Sequence, residues 1–416
     1  MKKIVFILIL AINFSSISQE KVTLNDCYDL LKTNYPLVKQ HQLLANQNKI
    51  DKTIISNAKL PQFSLDAQII YQSDVIAFPL EMAGITPLNN DQYRATFSVN
   101  QLIFNGGLIA ANLKIKEGQL KTKQKQVDAG IYQLKTQINQ LYFSILLTDE
   151  SFKLLEAKKK QLETKLKEVK SSIKYGFLLP SSDSVLEAEN LKIGQQFIEI
   201  ESRKSSLIET LSSFIGQPLN KATQFETPLI ETQLQNVINR PELELFQLKK
   251  EEIKNQEALI SKLNAPKLNG FLTGGYGNPG LNMLDNSFQT FYTVGVKFHW
   301  NVFDWNTNKK QQETIAINKD FIENETEIFK LNTNIELNKQ QQEIDKISAF
   351  INSDLEIIKL REKVLKTLES QLKNGVITSS VYITEFTNLF EAESTLLKHK
   401  IQLQLAKADY NIVKGE

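Results

Sequence analysis

GLIAANLKIKEGQLKTKQKQVDAGIYQLKTQINQLYFSILLTDESFKLLEAKKKQLETKLKEVKSSIK, residues 107–174, contains no proline, and only Gly118 and Gly130 interrupt its helix-forming composition. From Val127 the apolar positions step by four and three, through Ile131, Leu134, Ile138, Leu141 and Ile145, then Phe152, Leu155, Leu162, Leu166, Val169 and Ile173. Thr148 and Lys159 break the series. A sustained seven-residue repeat marks a helix packed along a narrow seam. At ~1.5 Å per residue the helix spans roughly 100 Å, more than a globular core needs. The expectation is a tall object with something different at each end.

The formal net charge is +2 with 23% charged residues, which gives no argument for nucleic acid or a strongly acidic partner. Met1 to Ser18 reads as a secretory signal: Lys2 and Lys3, then the apolar run Ile4 to Ile12, then Ser16-Ile17-Ser18 as a small-residue cleavage pattern. No later stretch approaches the ~20 apolar residues of a spanning helix. Cys27 is the one cysteine, so no internal disulfide exists. An exported chain of this kind is either soluble or inserted as strands.

The plan of the chain occurs twice. Asn34-Tyr35-Pro36 opens a helix that Pro61 ends, and Asn239-Arg240-Pro241 opens another that ends before Pro266; both proline pairs lie 25 residues apart. From Phe104 to Gly176 and from Phe303 to Gly375 the distance is 72 residues in each case, with a helix-ending glycine closing each long helix. The large length difference falls between Pro61 and Phe104, which points to a surface loop. The expected organisation is a signal at 1–18, a first repeat at 19–220 (strand pair 61–104, long helix 107–174, helix 181–215), a linker at 221–238, and a second repeat at 239–416 (strand pair 266–303, long helix 306–374, helix 380–413).

Each repeat carries two alternating strands. Phe63, Leu65, Ala67, Ile69 and Tyr71 alternate with Ser64, Asp66, Gln68 and Gln72, with Ile70 as the exception. Tyr93, Ala95, Phe97, Val99 and Ile103 alternate with Arg94, Thr96, Ser98 and Asn100. Tyr292, Val294, Val296, Phe298, Trp300 and Val302 alternate with Thr293, Gly295, Lys297, His299 and Asn301. Leu268 to Tyr276 is weaker, because glycines take several apolar sites. Ten-residue strands with one apolar face and aromatic flanks fit a lipid-facing barrel wall. Four strands cannot close a barrel, since about 8 are needed, and open edges are not tolerated in lipid. Strands pooled from three copies give twelve.

With these residues in place, the chain resembles the TolC family of outer membrane efflux proteins. The resemblance runs from about Val22 to the end. It is carried by Asn34-Tyr35-Pro36, Asn239-Arg240-Pro241-Glu242-Leu243, Phe104-Asn105-Gly106-Gly107, Asp183-Ser184-Val185-Leu186-Glu187-Ala188-Glu189, and Leu211 to Leu219 ending in Ile-Gly-Gln-Pro-Leu. It implies an α+β membrane protein: a homotrimeric twelve-stranded β-barrel in outer membrane lipid, continued by a long α-helical coiled-coil tunnel through the periplasm. Its implied role is the passive exit duct of a tripartite efflux or type I secretion system. The implied partners are a periplasmic adaptor and an inner membrane transporter, with no nucleic acid, no cofactor and no catalytic centre. The rival reading is a periplasmic coiled-coil adaptor or scaffold without membrane insertion, which would not need aromatic-flanked apolar strand faces in two copies.

The candidate adaptor contacts are the two helix-to-helix turns: Tyr175, Gly176, Phe177, Leu178, Pro180, Ser181, Ser182 and Asp183 at the first, and Asn374, Gly375, Val376, Thr378, Ser379 and Ser380 at the second. Aspartates that constrict the entrance of the best-known family member correspond here to Val381 and Thr384, so that acidic ring is absent. Glu187, Glu189 and Glu385 are the candidates for replacing its charge, and the expectation is a mouth closed mainly by helix packing, with little or no cation preference. The lysines of the lower long helix (Lys153, Lys158, Lys159, Lys160, Lys165, Lys167, Lys170, Lys174) read as a solvated coiled-coil face. Gly275-Tyr276-Gly277-Asn278-Pro279-Gly280 has dinucleotide-loop spacing, but a Pro-Gly turn and a strand follow where a helix is required. His41, His299 and His399 are scattered and offer no zinc-ligand spacing.

Overall fold

A computed structural model describes residues 21–76, 87–232 and 237–416. The expected signal at 1–18 lies outside the described residues, as do parts of the expected loop after Tyr71 and of the expected linker at 221–238. The elements run α1 (Leu24–Asn34), a 3₁₀ turn (Pro36–Val38), α2 (Lys39–Asn57), β1 (Gln62–Tyr71), β2 (Asp91–Phe104), α3 (Leu108–Gln133), α4 (Lys135–Lys174) and α5 (Ser182–Ile215). Then follow α6 (Pro241–Ile260), β3 (Lys267–Asn278), β4 (Gln289–His299), α7 (Thr307–Lys373) and α8 (Ser379–Lys414). The chain divides into two compact units. One comprises Met1–Val38, Gly130–Arg240 and Leu331–Glu416; the other comprises Lys39–Ala129 and Pro241–Lys330.

The second unit holds the sheet. Its strands pair antiparallel in the order β1-β2-β3-β4, leaving β1 and β4 as edges. The register places Phe63, Val99, Leu272 and Val294 in one cross-strand row, and Leu65, Phe97, Gly274 and Tyr292 in the next. Between them on the opposite face lie Ser64, Ser98, Thr273 and Thr293, with the hydroxyls of Ser98 and Thr273 3.1 Å apart. The apolar rows are exposed: Phe63, Leu65, Phe97, Leu272, Tyr292, Val294, Val296 and Phe298 all stand open, whereas the polar face is half-buried on β2 and β3 and open on β1. A water-soluble sheet has the reverse polarity. The strand glycines also have a packing role, because the Phe291 ring lies over Gly275 and the Phe271 ring over Gly295, closer than any added Cβ would permit. β3 continues to Asn278, so no helix opens at the glycine-rich segment.

Below the sheet in this unit, α2 lies along α3 through His41 to Asp128 (3.0 Å), Asn48 to the Lys116 carbonyl (2.6 Å) and Lys116 to Asp51 (3.1 Å). α6 is held to α7 by Lys249–Glu325 (3.3 Å), Lys250–Glu323 (3.2 Å) and an edge-on contact of Phe246 with Phe329.

The first unit is a helical assembly around α4. The sequence expectation of one unbroken helix over 107–174 is modified at Leu134, where the backbone tightens to 3₁₀ bonds: Leu134 N–H to Ile131 (3.1 Å) and Gln137 N–H to Leu134 (3.0 Å). The neighbouring Lys135 is drawn between the rings of Tyr28 and Tyr132, 4.7 and 4.6 Å from their centroids, which accompanies the irregularity. α1 starts with a capping box, in which Asp26 N–H donates to the Thr23 hydroxyl (3.1 Å) and Thr23 N–H donates to the Asp26 carboxylate (2.8 Å). Leu155, Leu162 and Val169 of α4 pack with Leu186 and Ile193 of α5, Leu372 of α7, and Tyr382, Ile383 and Phe386 of α8. Both the α4 and the α5 members recur at seven-residue steps, so the expected seam is a buried core. Among the described residues no helix is long and apolar enough to cross a membrane.

The inverted sheet generates a paired prediction. Val294→Arg puts a charge on the apolar face, and lipid-facing Arg costs about 2–4 kcal/mol per copy at mid-bilayer, against little for the same change on the inner face. Folding yield into lipid vesicles should fall for Val294→Arg and stay near wild type for Thr293→Arg.

Candidate functional site

The first unit presents two helix-to-helix turns, α4–α5 and α7–α8, that share one construction. Each long helix ends on a glycine in the left-handed region, Gly176 at φ +76° and Gly375 at φ +70°. The residue after each glycine donates its N–H back to the helix, Phe177 to Ser172 and Val376 to Gln371, both at 2.9 Å. That closure satisfies carbonyls a helix end otherwise leaves open, and only glycine adopts its geometry without strain. The same closure turns Phe177 and Val376 outward, 71% and 70% exposed. The next residues, Leu178 and Ile377, turn back and pack on the core cluster. Each turn therefore offers an exposed apolar residue on a rigidly anchored loop.

The remaining candidate residues divide by position. Tyr175, Leu179, Pro180, Ser181, Asn374, Thr378 and Ser380 are exposed. Ser182 and Asp183 form the first turn of α5 and are partly covered, while Ser379 at the start of α8 is buried. The two turns lie against each other, since a Cβ on Gly375 would meet the Phe177 carbonyl at 3.4 Å.

The three candidate entrance acids are each matched by a base. Glu189 pairs with Lys158 at 2.7 Å, Glu187 with Lys170 at 2.5 Å, and Glu385 with Arg361 at 3.1 Å, the last also accepting from Asn388 at 3.1 Å. Glu189 and Glu385 are largely covered, and Glu187 is open. Pairing with Glu187 holds the Lys170 pKa above its ordinary value.

The lysine face departs from the expectation of uniform solvation. Lys158 and Lys165 are buried. Lys158 adds the Phe390 ring (4.3 Å from its centroid) to its Glu189 contact, and Lys165 meets both Glu168 (2.7 Å) and Glu369. Burial opposes the charge on Lys165, but those two carboxylates more than offset it and its pKa lies above the usual lysine value. The physical reason is register. Lys158 and Lys165 fall on the seam between Leu155, Leu162 and Val169, where a lysine is tolerated only when paired.

Sequence reading missed a further polar core. Asn139 is fully buried on α4; its side-chain amide donates to Asp409 of α8 at 2.8 Å and accepts from the Tyr28 hydroxyl of α1. Burial pushes the Asp409 carboxyl up to about 6, partly offset by Asn139 and reinforced by Glu336. Burial likewise pushes Lys135 down to about 8. Polar residues inside an apolar repeat were the available signal. Elsewhere in this unit the His399 ring meets Asp354 at 2.6 Å. Among the described residues no group of His, Cys, Asp or Glu is placed to hold a metal ion.

The described chain has a four-stranded sheet with an exposed apolar face in one unit and long helices ending in anchored turns in the other. Solved structures with this build include CusC (TM-score 0.69, 11% identity, 94% of this chain and 92% of that one). The CmeC outer membrane channel of Campylobacter jejuni matches with TM-score 0.63 and 14% identity over 94% and 85% of the two chains. The outer membrane protein VceC of Vibrio cholerae matches with TM-score 0.64 and 14% identity over 94% and 96%. Residues 29–178 match the family model of outer membrane efflux proteins. That match covers the first part of the chain, and over the whole chain the likeness to these channels is one of fold. No curated protein sequence matches the chain.

The buried carboxyl generates a pH prediction. The folded-state pKa of Asp409 lies above its ordinary value, so folding favours the protonated form. Stability from this site is greatest below about pH 4, falls as pH rises towards about 6, and stays reduced above that, by of order 2 kcal/mol. Asp409→Asn should raise the unfolding temperature at pH 7.5 and lose that advantage near pH 4, as followed by circular dichroism.

Proposed function

We propose that this protein is the exit duct of a tripartite efflux or type I secretion system, with three copies pooling their strands into a twelve-stranded outer membrane barrel. The observation that carries the reading is the sheet: one face is a continuous exposed apolar surface, and its two edges have no strand partner among the described residues. In lipid every backbone group must be paired, so the edges of neighbouring copies close on each other. The helices of the three copies then line the path from periplasm to barrel. The duct is passive and depends on a periplasmic adaptor and an inner membrane transporter for its drive. A periplasmic scaffold has no use for so much exposed apolar strand surface.

Native mass measurement of detergent-extracted protein should give a trimer. A stable monomer with undiminished β-signal would overturn the reading.

The adaptor docks at the paired turns, where Phe177 and Val376 stand out from a rigid base. Replacing Gly176 or Gly375 with Trp should abolish export while leaving the trimer and barrel intact, because the left-handed backbone is strained by any side chain. Unchanged export with both replaced would move docking elsewhere.

The charge pairing of Glu187, Glu189 and Glu385 bears on selectivity. A narrow passage focuses net charge, and paired acids contribute little of it. Reversal potentials across a planar bilayer under a salt gradient should show weak cation preference or none. Strong cation selectivity lost in Glu385→Gln would show that this carboxylate lines the passage unpaired.

A further inference from the structure

Two phenylalanines interrupt the polar face of the sheet. Phe271 of β3 and Phe291 of β4 stand among Ser, Thr, Gln and Asn side chains, opposite the apolar rows. Each ring crosses the β3–β4 ladder onto a glycine of the other strand, Phe291 onto Gly275 and Phe271 onto Gly295. A Cβ on Gly275 would meet the Phe291 ring at 2.5 Å, and one on Gly295 would meet the Phe271 ring at 2.8 Å. Both rings therefore lie down against backbone and turn a π-face to the space in front of the sheet. Arg94 adds a charge to this arrangement. It belongs to β2, with β3 between it and β4, yet its guanidinium lies 5.5 Å from the Phe291 centroid. The span is open because Gly275 and Gly277 put no side chain beneath it. Arg94 forms no ion pair among the described residues. Covering a glycine needs only an apolar side chain, so packing accounts for the rings and leaves the free guanidinium over one of them unexplained.

The charge of the whole face has the same sign. Among its strand residues Arg94, Lys267 and Lys297 stand against Asp66, and none of the four is ion-paired among the described residues. In the closed barrel proposed above this face is the lumen wall, and a narrow passage focuses the net charge that lines it.

We infer that Arg94 and Phe291 form a lumenal subsite for amphipathic organic anions, cargo with a flat apolar ring and a carboxylate. The acid takes the guanidinium fork while the ring rests on the π-face beside it. A small anion gains the charge alone, and an aromatic cation meets the repulsion of Arg94. Phe271, four residues or roughly 14 Å further along the ladder, offers a second ring to the same molecule in transit. The inference rests on the duct reading and adds the class of its cargo.

The test uses the full-length trimer in planar bilayers, with probes added on the side open to the barrel. 1-Naphthoate carries ring and negative charge, acetate the charge alone, and 1-naphthylmethylammonium the ring with the opposite charge. Half-maximal reduction of the single-channel current should need about tenfold less 1-naphthoate than either other probe near 0.1 M salt. The margin over the ammonium probe should shrink towards about 1 M salt. Arg94→Gln should remove that margin with the trimer retained, and Phe291→Leu should bring 1-naphthoate close to acetate. Val296→Leu, on the opposite face, should change neither. Equal action of the three probes on the unmodified channel, or 1-naphthoate block unchanged in either lumenal variant, would overturn the inference. If Phe291→Leu fails to assemble, Arg94→Gln decides alone, because it leaves both rings on their glycines. A conducting trimer indifferent to the probes keeps the duct and removes the cargo class. A chain that conducts nothing in the bilayer removes the duct reading, and the inference with it.

Discussion

Backbone hydrogen bonding at the sheet edges is the constraint on which the other features depend. β1 and β4, of ten and eleven residues, are the edge strands, and the alternate backbone N–H and C=O groups that point outward from them have no strand partner among the described residues. In water such edges invite aggregation, and in lipid each unpaired group costs several kcal/mol. The exposed apolar rows suit lipid better than water on this face, and the closure by further copies proposed above would pair the edges. Closure in turn fixes what the helices must be. α2 and α3 flank the first strand pair and α6 and α7 the second, and the pairing register puts all four helix connections at the same end of the sheet.

The helical unit solves a related problem in charge. Its seam is built from apolar residues at seven-residue steps, yet Lys158 and Lys165 occupy seam positions and Asn139 and Asp409 lie in the core. An isolated buried charge would shift its pKa until it neutralised. The two lysines instead take carboxylates from other turns or helices, Glu189 on α5 and Glu369 on α7, and so tie α4 to both hairpins. Such pairs add little net stability compared with apolar side chains, but they define register, because a slip of three or four residues would take both lysines off their carboxylates. Among the described residues Asp409 has a neutral amide as its donor, and burial holds its pKa above the usual carboxylate range.

Most of the fold was legible in the sequence because its physical signals are periodic. Alternation over Phe63 to Tyr71 and Tyr292 to Val302 gave both strand faces, and proline and glycine punctuation placed the helix ends within a residue or two of α5, α7 and α8. The turns were legible for the same reason, since a glycine at a helix end dictates local geometry by itself. The partners of the charged residues were not. Lys158 reads as one more solvated lysine unless its position three after Leu155 and four before Leu162 is given more weight than its charge. Arg361 and Glu385 lie on different helices, and no spacing within either one announces their pairing. The glycines of β3 weakened that strand in the sequence because their use, seating Phe291 and receiving Phe97 and Tyr292 as row neighbours, exists only across strands.

The two turns are alike in backbone and unlike in what they offer. α8 begins four residues after Gly375, whereas α5 begins six residues after Gly176. The two additional residues leave both Phe177 and Leu179 exposed at the first turn, against Val376 alone at the second. Anchoring is equal, since Leu178 and Ile377 both join the core cluster. Under the docking proposed above, a partner would meet a broad aromatic and aliphatic surface at one turn and a small β-branched residue at the other. Burial of Phe and Leu supplies more apolar area than burial of Val, so the proposed docking has its energetic centre at the first turn.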